Sequence, residues 1–330
     1  MMRALASWID RASARPWPVR VALLLAPALI LAALLEPRLT LQRRVFDGIV
    51  VLDITQSMNT LDTVLDGQPS SRLAFVKARL HRALAQLPCG SRLGWGVFTE
   101  YRSYVLLMPV EVCANYSDLS ATLDRIDGTM AWAGGSQVAK GVMSALRISA
   151  RMPGLPAVVF LTDGHEAPPL RSDFVPVVPD EARDAHGLIV GVGDDALRPI
   201  PKYDPNGHPI GLWGPDDVLQ APPVYSSDPA GPVGRAAPGG TEHLSSLKEN
   251  HLRELAQLAG LGYVRLTPST NLAQVLQDSR ATRRLAVRAD TRALLEAVAL
   301  VLVVFGIGPI RRIPAIRLRP RRAPGQSYLM

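Results

Sequence analysis

Apolar residues along the chain fall into three kinds of run. The first kind is short and continuous: "VFDGIVVL" at 45–52, "PAVVFLTDG" at 156–164 and "HGLIVGVG" at 186–193. Apolar runs of strand length without alternation predict strands covered on both faces. The second kind repeats at helical spacing. "RLAFVKARLHRALAQL" at 72–87 predicts a helix that Ser70 or Ser71 can cap. Further helices are expected near 118–126, over 136–150 and over 247–260, with a strand at 262–267 and a helix from about 270 running on toward the C-terminus. Residues 92–111 read as a hairpin centred on Tyr101. Strands alternating with helices predict an α/β fold: a doubly wound, mostly parallel sheet with one antiparallel strand.

The third kind is too apolar for a water-soluble surface. Val21–Leu35 is fifteen residues without a charge, and Ala297–Ile310 is fourteen. With flanking residues both approach the ~20 that span a bilayer. The first could instead be a cleaved signal peptide, but its closing stretch "ALILAALLEPR" offers no A-x-A site, and an anchor is the preferred reading. The second could be a core helix, but Arg311 and Arg312 follow it directly. The expected layout is a basic arm (1–16), a transmembrane helix (17–36), a globular domain (45–278) with a Pro/Gly-rich insertion (199–245), a basic connector helix (279–292), a second transmembrane helix (293–310) and a basic tail (311–330).

Charge supports that division. Residues 1–44 carry +5 and residues 279–330 carry +9, so a chain of net +7 leaves −7 on the middle. A nucleic-acid protein would place its basic charge on the folded body, so that class is excluded. Basic arms beside apolar spans suit membrane lipid. The Arg counts lean toward cytoplasmic termini, with the middle outside the inner membrane.

The two cysteines bear on the same point. In a hairpin centred on Tyr101, Cys89 and Cys113 face each other across the strand ends, close enough for a disulfide. Otherwise they are two small buried hydrophobes. A bridge would require an oxidising compartment, hence the periplasm.

The candidate chemistry lies at the ends of the apolar strands. Asp53, Thr55 and Ser57 follow the first, Ser136 follows two glycines in "AGGSQVAKG", and Asp163 heads a "TDG" turn. Two carboxylates and three hydroxyls make an oxygen-only set, which suits a hard divalent cation. Taken singly, each has an ordinary role in a turn or cap.

In this order the five residues resemble the metal-ion-dependent adhesion site of the von Willebrand factor type A (VWA) family, over roughly residues 45–278. The family pattern is D-x-S-x-S, then a Thr, then an Asp. Here Thr55 stands for the first Ser and Ser136 for the Thr, and each keeps its hydroxyl. The resemblance implies Mg²⁺, or Mn²⁺ or Ca²⁺, at the site, and a partner protein that donates an Asp or Glu to the metal. It is finer among two-anchor bacterial VWA proteins. "PIPKYDPNGHPIG" and "LKENHLRELAQLAGLGYVRL" look like the aerotolerance (Bat) proteins. "LPCGSRLGWGVFTEYRS" and "DGTMAWAGGSQVAKG" look like the VWA members of methanol-oxidation clusters. The expected role is therefore an accessory in maturing periplasmic methanol dehydrogenase, including calcium insertion, beside other membrane accessory proteins. The alternatives are a stress-type scaffold subunit and a hydrolase.

No enzyme is expected. "GGSQV" is not a nucleophile elbow, no H-E-x-x-H or phosphate-binding G-x-x-x-x-G-K-[ST] occurs, and "GVGDD" lacks the spacing of a dinucleotide loop. Trp132 and Trp213 are candidate partner-binding residues, or else pack under their own loops. "DPNG" at 204–207 reads as a turn rather than a calcium loop. His165 and Glu166 are expected to be exposed loop residues.

Overall fold

Side chains alternate along β1 (Arg38–Asp53): Phe46, Val50 and Leu52 join one core, Ile49 and Val51 the other. A strand apolar on both faces needs cover on both sides, and this dictates three layers. The structure is a computed structural model describing residues 16–35, 38–170, 176–204, 206–219, 241–278 and 282–307. Two units divide it, residues 42–285 and the two ends of the chain, 1–41 with 286–330.

In chain order the larger unit continues from β1 through a 3₁₀ turn (Gln56–Asn59), a small hairpin of β2 (Thr63–Leu65) and β3 (Gln68–Ser70), and α2 (Arg72–Gln86). The hairpin β4 (Arg92–Thr99) and β5 (Arg102–Glu111) follows, then α3 (Tyr116–Arg125), α4 (Val138–Ala150), β6 (Ala157–Thr162) and β7 (Gly187–Val192). The insertion contributes β8 (Arg198–Pro199), β9 (Pro201–Tyr203), β10 (Pro209–Leu212) and β11 (Leu244–Ser245). α5 (Glu249–Leu258), β12 (Gly262–Leu266) and α6 (Leu272–Asp278) close the unit. α2, α3 and α6 cover one face of the sheet, while α4 and α5 cover the other.

Strand order is β12-β7-β6-β1-β4-β5, parallel except for β5. The chain winds from β1 out to β4 and β5, then returns to β6 on the opposite side of β1. The winding thus reverses between β1 and β6, and open α/β sheets bind ligands at the carboxyl ends of such strands. The expected fold class is the observed one.

Two packing details hold the antiparallel edge. Trp95 is fully buried and its indole donates to Leu119 O at 2.9 Å, tying β4 to α3. A Cβ on Gly141 would lie 2.2 Å from the Phe98 ring, so only glycine lets α4 lie this close to β4. Beyond the strand ends, Cys89 and Cys113 form a disulfide with 5.3 Å between Cα atoms. The Glu111 carboxylate accepts from Gly90 N and Ala114 N, each at 2.7 Å, so it clamps both cysteine-bearing turns.

The ends of the chain differ from expectation in one respect. The stretch expected as a connector helix (279–292) is instead a strand, β13 (Thr282–Asp290), which pairs with β1. The reason is in the sequence: in "TRRLAVRAD" Leu285 and Val287 alternate with Arg284, Ala286 and Arg288, a period of two rather than 3.6. β1 itself begins at Arg38, before the expected 45.

In the smaller unit, α1 (Trp17–Leu34) has 18 residues of mean hydropathy 2.0 and is long and apolar enough to cross a membrane. α7 (Arg292–Ile307) has 16 described residues and is shorter than that. Ala22, Ala26, Ala33 and Ala299 are buried, and a Cβ on Gly306 would lie 2.7 Å from Leu23. Leu24, Leu31, Leu300, Val301 and Phe305 face outward. Small residues therefore face inward and large apolar ones outward. The basic arm up to residue 15, the basic tail and the end of the second expected span lie outside the described residues.

The Cys89–Cys113 bridge closes a loop of sequence separation 24. Replacing both cysteines by serine is expected to cost about 3 kcal/mol of stability. A lower urea midpoint for the full chain in detergent, matched by the reduced wild type, is the check.

Candidate functional site

β1 and β6 run side by side, Leu52 opposite Leu161; β1 ends at Asp53, and Asp163 directly follows β6. Asp53 is fully buried. Its Oδ1 accepts from Thr55 N at 2.9 Å and Thr55 Oγ1 at 2.7 Å, closing an Asx turn. Its Oδ2 accepts from Thr162 Oγ1 at 2.6 Å, a bond from the neighbouring strand. Asp163 repeats the turn chemistry, its Oδ1 accepting from His165 N at 2.9 Å. Burial, and then the charge of Asp163, push the Asp53 carboxyl up to about 7.

Ser136 reaches the same place from a third direction. Its N–H donates to Ala167 O and its carbonyl accepts from Ala167 N, while Gln137 N donates to Glu100 O. The loop after β4 and the loop after β6 thus pin it between them. α4 begins only at Val138, so the Ser136 hydroxyl does not cap the helix. Ser136 is 2 % exposed, and its Oγ has no hydrogen-bond partner among the described residues. Thr55, Ser57 and Ser136 line one small cavity of about 40 Å³. Thr55 Oγ1 and Ser57 Oγ are 3.4 Å apart.

Behind the hydroxyls lies an arginine that sequence reasoning passed over. Arg72 is fully buried at the first position of α2. Its Nε reaches both Asp62 oxygens at 3.0 and 3.1 Å and its Nη2 reaches Asp62 Oδ2 at 2.6 Å. Its Nη1 donates to Asp163 Oδ2 and, at 2.6 Å, to Ser245 Oγ. Ser245 Oγ donates on to Asp163 Oδ2 at 3.0 Å. Burial opposes ionisation of Asp163, but the Arg72 guanidinium together with hydrogen bonds from His165 N and Ser57 holds the carboxyl below its usual range. Gly193, at φ +119°, makes room: a Cβ there would stand 2.6 Å from Arg72 Nε. A cation at a helix N-terminus opposes the macrodipole, and that was the available signal.

The five predicted oxygen donors therefore gather at one edge: Thr55, Ser57 and Ser136 on the cavity, Asp53 and Asp163 directly behind. Two carboxylates (Asp62 and Asp163) bond one guanidinium, an excess of one negative charge, and Asp53, its carboxyl raised to about 7, lies close enough to Asp163 to feel its charge. An orphaned hydroxyl, an oxygen-only donor set and this excess fit a hard divalent cation.

Other expectations resolve differently. His165 is buried, not exposed, and lines the cavity. Burial lowers its pKa, so the imidazole stays neutral. Glu166 is half-buried. It accepts from Ala139 N at 2.8 Å, at the start of α4, and contacts His251 at 3.1 Å. Trp213 lines the cavity, with Lys202 Nζ 4.6 Å from its ring centre. Trp132 is exposed on the surface, edge-on to Tyr104 and bonded to Glu100. Asp204 Oδ1 accepts from Asn206 N and His208 N, so the "DPNG" carboxylate serves its turn.

No family model matches the chain, and no curated protein matches it. Among solved structures, it is similar to an aerotolerance-related membrane protein from Bacteroides fragilis NCTC 9343, at 18 % identity, covering 71 % of this chain and 98 % of that one, TM-score 0.46. BatB from Bacteroides thetaiotaomicron gives 20 % identity, 70 % and 95 % coverage, TM-score 0.46. The SpRpn10 VWA domain gives 10 % identity, 72 % and 96 % coverage, TM-score 0.33. None of these likenesses carries a function across.

Replacing Arg72 by Met leaves Asp62 and Asp163 buried without their cation. The expected loss is about 3–5 kcal/mol of stability, read from urea unfolding in detergent. Arg72→Lys keeps the charge but not the fork, and should recover only part of it.

Proposed function

We propose that the chain is a membrane-tethered binding module rather than an enzyme. In this reading Asp53, Thr55, Ser57, Ser136 and Asp163 hold Mg²⁺, or Mn²⁺ or Ca²⁺, and the metal binds an Asp or Glu of a partner protein. The observation that carries it is the Ser136 hydroxyl, buried without a partner beside two other hydroxyls and backed by two carboxylates. Neutral hydroxyls leave the metal electron-poor, so it favours one more acidic ligand from outside. Trp132, exposed in the loop before Ser136, is the proposed partner contact.

Against hydrolysis, Ser136 has no hydrogen-bonded base among the described residues, and the side-chain bond of Ser57 goes to Asp163, whose carboxyl is held below its usual range and is a weak base. His165 shares the cavity, but its Nδ1 has no partner among the described residues. Catalysis by serine needs such a pair. Ester turnover that disappears in both Ser57→Ala and His165→Ala would overturn the binding reading.

The setting that fits the module is the bacterial inner membrane, with α1 and the helix beginning at Arg292 as two anchors, in contact with lipid, and the disulfide-bearing domain in the periplasm. The finer assignment rests on sequence likeness alone. The resemblance of "LPCGSRLGWGVFTEYRS" and "DGTMAWAGGSQVAKG" to MxaL supports an accessory role in maturing periplasmic methanol dehydrogenase, beside other membrane accessory proteins of that pathway.

The full chain in detergent should bind one Mn²⁺, measured by titration calorimetry after removal of metal with EDTA. Asp53→Asn and Asp163→Asn should weaken that binding at least tenfold, a lower bound set by the effect of outer-shell changes. Partners captured from membranes in Mg²⁺ should be released by EDTA. Normal capture by a folded Asp53→Asn protein in EDTA would sink the proposal.

A further inference from the structure

The cavity at the metal edge has a wall that the hydroxyl motif does not include. Besides Thr55, Ser57, Ser136 and His165, it is lined by Ile200, Trp213, Val218 and Glu242, all from the Pro/Gly-rich insertion. Apolar side chains from that insertion form one side of it. The space of about 40 Å³ is enough for an ion with two or three waters. A carboxylate on another protein must approach past Trp213 and Ile200.

One carboxylate is already inside the wall, and it is the chain's own. Glu242 lines the same cavity as the three hydroxyls. It is close enough to His165 for its charge to act on that imidazole. Three residues further on, Ser245 bonds to Asp163 and Arg72, which fixes the strand after the Glu242 turn against the buried charges. β11, which starts at Leu244, is in turn paired to β8, with Leu244 opposite Pro199, next to the cavity residue Ile200. The described residues near Ile200 and Glu242 are thus held next to the site.

We propose that Glu242 is an intrinsic acidic ligand of this site. It occupies the coordination position that an outside carboxylate would take, and the insertion keeps it there. This rests on the metal reading above and deepens it: the module as described is self-liganded, and a partner binds by displacing Glu242 together with Trp213. Two consequences follow. Removing Glu242 weakens the metal, because ligand charge is lost. It also opens the site to water and to foreign carboxylates.

The test uses the full chain in detergent, stripped with EDTA and titrated with Mn²⁺. Wild type, Glu242→Gln and Glu242→Ala are compared by calorimetry and by water-proton relaxation of the bound Mn²⁺. Both variants should bind Mn²⁺ about tenfold more weakly or worse, in line with losses on removing a ligand's support. Relaxation enhancement per bound Mn²⁺ should rise in Glu242→Ala, since water replaces the carboxylate. Millimolar acetate should then lower it in Glu242→Ala and leave wild type unchanged. A residue with only a structural role would change affinity without changing the water count. If wild type binds Mn²⁺ and both variants match it in affinity and relaxation, Glu242 is not a ligand and only this inference falls. If wild type binds no Mn²⁺, the metal reading itself falls, and this one with it.

Discussion

Two carboxylates sit side by side at the end of two adjacent strands, out of water, and the surrounding structure answers to that. Ionised carboxylates in such a place cost several kcal/mol each unless hydrogen-bonded and paired. The chain meets the demand with groups from far along the sequence. Thr162 and Thr55 bond Asp53, while Arg72 and Ser245 bond Asp163. Asp62 then takes the other side of the Arg72 fork. One buried guanidinium therefore ties α2, the loop after the 3₁₀ turn, the end of β6 and the β11 segment into a single ionic cluster.

That cluster is possible because of how the sheet winds. Only at the reversal between β1 and β6 do two parallel strands end together with their connections diverging, and that leaves a crevice. Asp53 and Asp163 occupy those two ends. The same winding sends α4 over one face and α2 over the other, so Ser136 arrives from one side and Arg72 from the other. The hydroxyls end up toward the cavity and the arginine behind it. The guanidinium bonded to Asp163 therefore does not line the cavity that the hydroxyls line.

Much of this was legible in the sequence where a local pattern decided the outcome. Continuous apolar runs gave β1, β6 and β7, and helical spacing gave α2 with its Ser71 cap, whose oxygen accepts from Ala74 N at 3.1 Å. A hairpin centred on Tyr101 placed Cys89 opposite Cys113, and the two are bonded. The five oxygen donors could be named because each follows directly on a predicted strand or glycine turn. What escaped depends on long-range placement. Arg72 looks like one more polar residue on an amphipathic helix, and its partners are 10 and 91 positions away. His165 was read as exposed because nothing local showed the insertion folding over it. The strand at Thr282–Asp290 was missed because an expected neighbouring helix was extended through a stretch whose own period is two.

A resident carboxylate, as proposed for Glu242, would change what kind of binding the site performs. An open metal edge would take any accessible carboxylate, with affinity set by that contact alone. With Glu242 as a ligand, an outside carboxylate would compete with one held at high effective concentration on the same chain, so a lone acidic residue would gain little. On that proposal a successful partner would also need favourable contacts around Trp213 or with the surface around Trp132, and specificity would reside in those surfaces rather than in the metal.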